Sequence, residues 1–169
     1  MRRSEREPDP AARERVRKRA LRLLARREHT VRELGEKLTS RGEAEEEVVR
    51  AVVEELAQKD LVSDARYARA YALDAIRMKP RARRRILNEL VDRGVPAVNA
   101  ARAVDAAFVE EEVDDPILAH RLAETYLPRV ADQDDATRWR RVATYLQRRG
   151  FDNTLIYDVC REILPEPEA

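Results

Sequence analysis

Cysteine occurs once in the 169 residues, at Cys160, so no disulfide can close within the chain. The two histidines, His29 and His120, stand far from it and from each other, which excludes the ligand spacing of a zinc site. Aromatic residues make up only 5%, too few for one thick aromatic core. Glycine is scarcer still. Gly35, Gly42, Gly94 and Gly150 are the full set, and none belongs to a G-x-x-x-x-G-K-[ST] phosphate loop or a G-x-G-x-x-G turn. H-E-x-x-H is missing too, and paired carboxylates fall only in solvated runs. No apolar run approaches the roughly 18 residues of a membrane span. The charged start, with Arg2, Arg3 and Arg6, is not followed by the apolar stretch of a secretory signal. The expectation is a soluble, cytoplasmic chain with no cofactor and no catalytic residues, in which Cys160 serves as a small core residue.

Charge, by contrast, is abundant. Charged residues make up 40% of the chain, against about 25% in an ordinary domain. Lys and Arg number 34 and Asp and Glu 33, a near balance that conceals segregation into blocks. A thin apolar core spread along an elongated body suits this composition better than one compact globule.

One pattern recurs three times. Leu38-Thr-Ser-Arg41-Gly42, Leu90-Val-Asp-Arg93-Gly94 and Leu146-Gln-Arg-Arg149-Gly150 share L-x-x-R-G, with the glycines 52 and 56 residues apart. The leucine is the last core-facing residue of a helix. The arginine complements the negative helix end, and the glycine takes the left-handed conformation that stops it. Apolar residues at helical spacing follow each glycine: Val49, Val52 and Leu56; Val98, Ala101, Val104 and Phe108; Leu155, Ile156, Val159 and Ile163. Two more helices precede each glycine. Thr30 and Glu33 form a capping box. Asp64 caps the fourth helix, and Asp115 followed by Pro116 caps the seventh.

The chain therefore reads as all-α, with helices near 12–27, 31–40, 44–59, 64–77, 80–92, 96–110, 116–127, 135–148 and 153–164. They form three tandem three-helix repeats, 11–61, 62–112 and 113–164, stacked into an elongated, curved array. Residues 1–10 and 165–169 read as disordered tails, the first of them basic. The basic runs within 11–27, 77–85 and 138–149 alternate with acidic ones at 43–47 and 110–115. Counting from each leucine makes Arg32, Arg84 and Arg140 equivalent, and likewise Arg41, Arg93 and Arg149. Similar stacking of the units would line such residues into a stripe able to neutralise phosphates or grip carboxylates. The candidate binding residues are Arg32, Arg77, Lys79, Arg81, Arg84, Arg85, Arg93, Arg138, Arg140, Arg141, Arg148 and Arg149. The competing account of such runs is a set of solvated helix faces. Tyr67, Tyr71, Tyr126, Trp139 and Tyr145 could stack on bases, but their helical spacing favours packing.

Four stretches, in order and at these distances, carry a family resemblance. They are Ala20-Leu-Arg-Leu-Leu-Ala-Arg-Arg27 with Glu33-Leu34 and Leu38; Leu61-Val-Ser-Asp64-Ala-Arg-Tyr67-Ala68; Arg84-Arg85-Ile86-Leu-Asn-Glu89-Leu90 ending in Arg93-Gly94-Val95; and Leu146-Gln-Arg-Arg-Gly150-Phe151. With them the chain resembles the RecX family from about Ala20 to Leu164. It departs from that family at Lys79-Pro80, where a glycine is common, and in its strongly basic N-terminal stretch. The resemblance implies a monomer of tandem three-helix repeats that binds the RecA–DNA filament and has affinity for single-stranded DNA, with duplex DNA a second candidate. It also implies modulation, usually inhibition, of ATP hydrolysis, strand exchange and coprotease activity. Two other readings compete. One is a stand-alone helix-turn-helix-like DNA-binding protein, which needs Asn, Gln and Arg aimed at base edges. The other is a protein-only helical-repeat scaffold.

Overall fold

The structure is a computed structural model that describes residues 10–40, 42 and 44–165. Among them are nine α-helices and no strand: α1 (Pro10–Leu24), α2 (Val31–Thr39), α3 (Glu46–Gln58), α4 (Asp64–Arg77), α5 (Arg83–Asp92), α6 (Ala97–Glu110), α7 (Asp115–Tyr126), α8 (Asp135–Arg148) and α9 (Asn153–Ile163). A 3₁₀ turn, Leu127–Val130, links α7 to α8. Of the expected tails at 1–10 and 165–169, residues 1–9 and 166–169 lie outside the described residues, as do Arg41 and Glu43. Pro10, expected in the tail, is the first residue of α1, a position where its missing N–H leaves no bond unmade.

Every helix pair in extensive contact lies within α1–α3, α4–α6 or α7–α9. Each helix is too short to persist alone and packs its apolar stripe first against its two partners. Unit 1 has its own core, built on Val16, Leu34, Leu38, Val52 and Leu56. Units 2 and 3 share one continuous core, from Ile76, Ile86 and Phe108 through Leu118, Val142 and Leu146 to Val159 and Cys160. One expected core residue is exposed. Val98 is 63% exposed, and α6 instead buries Ala100, Ala103, Val104, Ala107 and Phe108. The fifth helix begins at Arg83 and not near Pro80, because Asp115 captures its first free N–H there.

The L-x-x-R-G glycines behave as their pattern requires, with φ of +63° at Gly42, +92° at Gly94 and +89° at Gly150. Two of them do a second job. The Arg32 side chain of α2 lies directly over Gly94, and that of Arg85 in α5 lies over Gly150. Each guanidinium donates to a carbonyl at the end of the next unit's middle helix: Arg32 to Asp92, Arg85 to Arg148. Those carbonyls have no partner within their own helix, and a cation there also meets the negative end of the helix dipole.

The other bonds of each joint repeat as well. Thr30 Oγ1 donates to the Arg93 carbonyl at 2.8 Å, and the Ala82 N–H donates to the Arg149 carbonyl at 3.0 Å. The carboxylate of Asp64 accepts the Val31 N–H at 2.9 Å, and that of Asp115 accepts the Arg83 N–H at 2.8 Å. The expected capping roles of these two aspartates therefore move by one residue. Ser63 and Asp114 cap α4 and α7. Asp64 and Asp115 reach across to cap the middle helix of the preceding unit. The capping box is also half formed. Thr30 accepts the Glu33 N–H at 3.0 Å, while the Glu33 carboxylate turns to Arg27.

Candidate nucleic-acid interface

The twelve candidate cations separate into those held by the fold and those left facing solvent. Arg81 is the most internal. Its Nε is 2.7 Å from Glu89, Nη1 donates to the Lys79 carbonyl at 2.9 Å, and Nη2 lies 3.0 Å from the Tyr71 hydroxyl. Arg93 lies over the Tyr71 ring at 4.9 Å. Arg77 forms a fork onto Glu111, at 2.9 and 2.6 Å. Arg138 pairs with Asp135 at 3.0 Å. Arg149 donates to the Pro80 carbonyl at 2.9 Å and lies over Tyr145 at 5.0 Å. Arg32 and Arg85 close the two joints, and each also faces a glutamate on its own helix, Glu36 and Glu89. Leucine-based counting pairs Arg32 with Arg84, whereas the joint contact falls to Arg85, one residue on.

Lys79, Arg84, Arg140, Arg141 and Arg148 remain. All five are exposed, and their side chains make no hydrogen bond or ion pair to another described residue. Three of them come together. Arg140, Arg141 and Arg148, with Thr144, Tyr126 and Tyr145, line a cleft of about 310 Å³ on α8 and the end of α7. Tyr126 and Tyr145 stack face to face, with centroids 4.3 Å apart and planes 6° off parallel. The nearest acids act only at a distance. Asp134 is held below the ordinary carboxylate range chiefly by the Thr137 backbone N–H, with Arg140 adding a smaller pull. Asp132 is lowered mainly by Gln133, with Arg141 the weaker contributor. Lys79 and Arg84 are the two candidate cations of unit 2 in this group, and Arg84 is the helix neighbour of Arg85, whose guanidinium touches the last carbonyl of α8.

The three unpartnered guanidinium groups of the cleft can attract anions. Cys160 is fully buried, and burial pushes its thiol up to about 11. Among the described residues no cluster of three or more His, Cys, Asp or Glu could hold a metal ion. His29 is buried, with Nδ1 3.1 Å from Glu33, and His120 contacts Glu162 at 2.7 Å. No helix among the described residues is long and apolar enough to cross a membrane. Sequence reasoning missed the joint roles of Asp64 and Asp115 and the division of the arginines. The division depends on long-range partners such as Glu111 for Arg77 and the Pro80 carbonyl for Arg149, which no local spacing reveals.

Comparison with known proteins gives one answer along the whole array. The family profile described as RecX, first three-helix domain, matches residues 17–56; the second matches 63–104 and the third 117–160. Regulatory protein RecX of Halorhodospira halophila is 39% identical over 143 residues, covering 83% of each chain. That of Treponema pallidum is 36% identical over 137 residues, covering 81% of this chain and 78% of its own. The crystal structure of RecX from Lactobacillus salivarius superposes with a TM-score of 0.73 at 20% identity, covering 90% of this chain and 97% of that one. A second crystal structure of regulatory protein RecX also gives 0.73, at 23% identity, over 89% of this chain and 73% of that one. Three units in the family's order, the fold and identity over four-fifths of the chain place the protein in the RecX family of regulatory proteins.

Proposed function

We propose that this chain regulates the RecA recombinase by lying along the RecA–DNA filament, with the three arginines of the α8 cleft as its principal contact to phosphate. The role is regulatory and not enzymatic, and the chain acts as a cytoplasmic monomer. The observation that carries the reading is the division among the cations. Most candidate arginines have a carboxylate, carbonyl or ring partner, whereas Arg140, Arg141 and Arg148 share one cleft without any. Leaving three guanidinium groups together repels them mutually, and a polyanion removes that cost while releasing its counterions. Lys79 and Arg84 extend the contact toward unit 2. A ligand made of joined units that spans neighbouring protomers favours whichever filament geometry it fits. It thereby blocks the groove or speeds disassembly, and ATP hydrolysis, strand exchange and coprotease activity fall.

The test is a pull-down and ATPase assay with the host recombinase on single-stranded DNA. The wild-type chain binds the filament and lowers hydrolysis at micromolar concentration. Changing Arg140, Arg141 and Arg148 together to Glu removes both effects. It also lowers the slope of log affinity against log salt by about 2, roughly 0.7 for each lost phosphate contact on a single strand. An unchanged slope removes the cleft from the DNA contact, and a wild-type chain without effect on the filament removes the whole reading.

A further inference from the structure

The groove between α2 and α3 in unit 1 has a feature that unit 2 lacks. Gly35 sits in the middle of α2, where glycine weakens a helix relative to alanine. No left-handed turn calls for it, and a Cβ there would meet nothing within 4 Å. Unit 2 carries Leu87 at the matching position, partly buried against its core. The register of that match is set by α3 and α6, where the buried Val48, Val52 and Leu56 correspond to Ala100, Val104 and Phe108 at the same offset. Val49 and Val53 of α3 then correspond to Ala101 and Asp105 of α6. Unit 1 thus has the more apolar floor and no leucine of its own across it. The result is a cavity of about 550 Å³, whose lining includes Val31, Gly35, Thr39, Val49 and Val53.

Its rim is acidic. Glu36, Glu46 and Glu54 border it, with the N-cap Glu45 and the first-turn Glu47 flanking Glu46 in sequence. Among the described lining residues Arg50 and Arg32 are the cations, and Arg32 is already engaged by Glu36 and the Asp92 carbonyl. A phosphate backbone is repelled by such a rim and gains nothing from the floor. We propose that this groove docks a basic amphipathic helix of a protein partner, whose large apolar side chains enter where unit 2 is filled from within by Leu87. The mode is helix-in-groove recognition, with anchors on one face and lysines or arginines meeting the glutamates. The site is separate from the α8 cleft, and its test needs neither DNA nor recombinase.

The probe is a short, fluorescein-labelled Lys/Leu amphipathic helical peptide, titrated against the full chain by anisotropy. The wild-type chain binds it saturably. Gly35→Leu weakens binding about tenfold or more, the equivalent of excluding one leucine side chain. Circular dichroism verifies the helices of that variant. Independently of it, Glu46→Lys with Glu54→Lys weakens binding to a similar degree, and a peptide with its leucines changed to serine does not bind. Equal affinity for wild type and Gly35→Leu overturns the proposal, as does equal binding of the serine peptide. If the peptide fails to bind while sedimentation shows self-association that Gly35→Leu abolishes, the groove belongs to a second copy of the chain and the proposal is likewise overturned.

Discussion

The two joints of the array use the same three bonds but rest on different foundations. Both place an arginine over a glycine, an aspartate on the first N–H of a middle helix, and a third hydrogen bond to the terminal carbonyls. Beneath the joint between units 2 and 3 the apolar core is continuous, whereas at the joint between units 1 and 2 it is interrupted. Hydrogen bonds of this kind contribute about 1 kcal/mol each. Burying a continuous apolar layer contributes more and couples whatever it connects. Unit 1 is therefore held to its neighbour mainly by directional polar contacts, while units 2 and 3 form one cooperative body.

Core truncation is the strongest way to break that comparison. Leu56→Ala in unit 1 and Leu146→Ala in unit 3 remove fully buried side chains and are each expected to cost about 2–5 kcal/mol. The consequences differ in reach. Hydrogen exchange should show Leu56→Ala loosening α1–α3 alone, with α4–α9 still protected. Leu146→Ala should raise exchange through units 2 and 3 together. A uniform loss of protection from either variant would show that the joints transmit stability equally well.

Glycine substitutions come next and grade the joints directly. Alanine at Gly42, Gly94 or Gly150 meets positive φ, worth about 1–2 kcal/mol in each case. At Gly42 the added methyl touches nothing, so strain is the whole effect. At Gly150 it would approach Arg85 Cβ to 2.8 Å, and at Gly94 it would approach Arg32 Nε and Cβ to 2.6 and 2.7 Å. Cβ atoms are fixed to their helices and cannot swing aside. Urea unfolding should therefore rank Gly94→Ala as most destabilising, then Gly150→Ala, then Gly42→Ala. Equal losses at all three would mean that the arginine contacts carry no weight.

That ranking bears on how much of the molecule its sequence discloses. The three-unit helical plan follows from local physics: L-x-x-R-G stops, apolar spacing and the helix-start residues are all short-range signals. The close approach of arginine to glycine is not, since Arg32 and Gly94 are contributed by different units. The same holds at the helix starts. Ser63-Asp64 and Asp114-Asp115 each offer two cap candidates, and only the neighbouring unit decides which one turns outward. Arg81 and Arg140 look alike in sequence. A glutamate two turns along α5 and a tyrosine from α4 bond to the first, while no described residue makes a hydrogen bond or ion pair with the second. Periodicity therefore yields the helices and their core faces, but the free cations emerge once tertiary partners have claimed the rest.

At the joints, Asp64→Ala and Asp115→Ala are each expected to cost about 1 kcal/mol, the worth of a helix cap. In thermal melts, the first should release unit 1 as a separate, earlier transition. The second should lower the main transition without splitting it, because the shared core still links units 2 and 3. Separate transitions in both variants would place the coupling in the hydrogen bonds and not in the apolar layer.

Acid should act on the two joints with opposite sign, and this is the smallest of the expected effects. Glu33, beside the first joint, is lowered to about 2 by its hydrogen bond from Arg27, with His29 adding to the shift against the opposing effect of burial. A carboxylate that ionises more readily in the folded than the unfolded chain stabilises the fold above the unfolded value of about 4.5. That contribution is lost as pH falls from there toward 2. Asp115, in the second joint, is raised by burial, against the pull of the Arg83 backbone N–H and guanidinium. It binds its proton more tightly when folded, so its charged form carries a penalty that disappears as pH falls through the raised value. Acidification below pH 4.5 should thus loosen unit 1, while the contribution from Asp115 favours the junction of units 2 and 3. Glu33→Gln should flatten the acid limb of unit 1 by about 1 kcal/mol, a few degrees in melting temperature. Asp115→Asn should leave unit 1 unchanged and raise the stability of the rest at neutral pH. If Glu33→Gln leaves the acid limb as steep as in the wild type, the Arg27–Glu33 pair is not what makes unit 1 sensitive to acid.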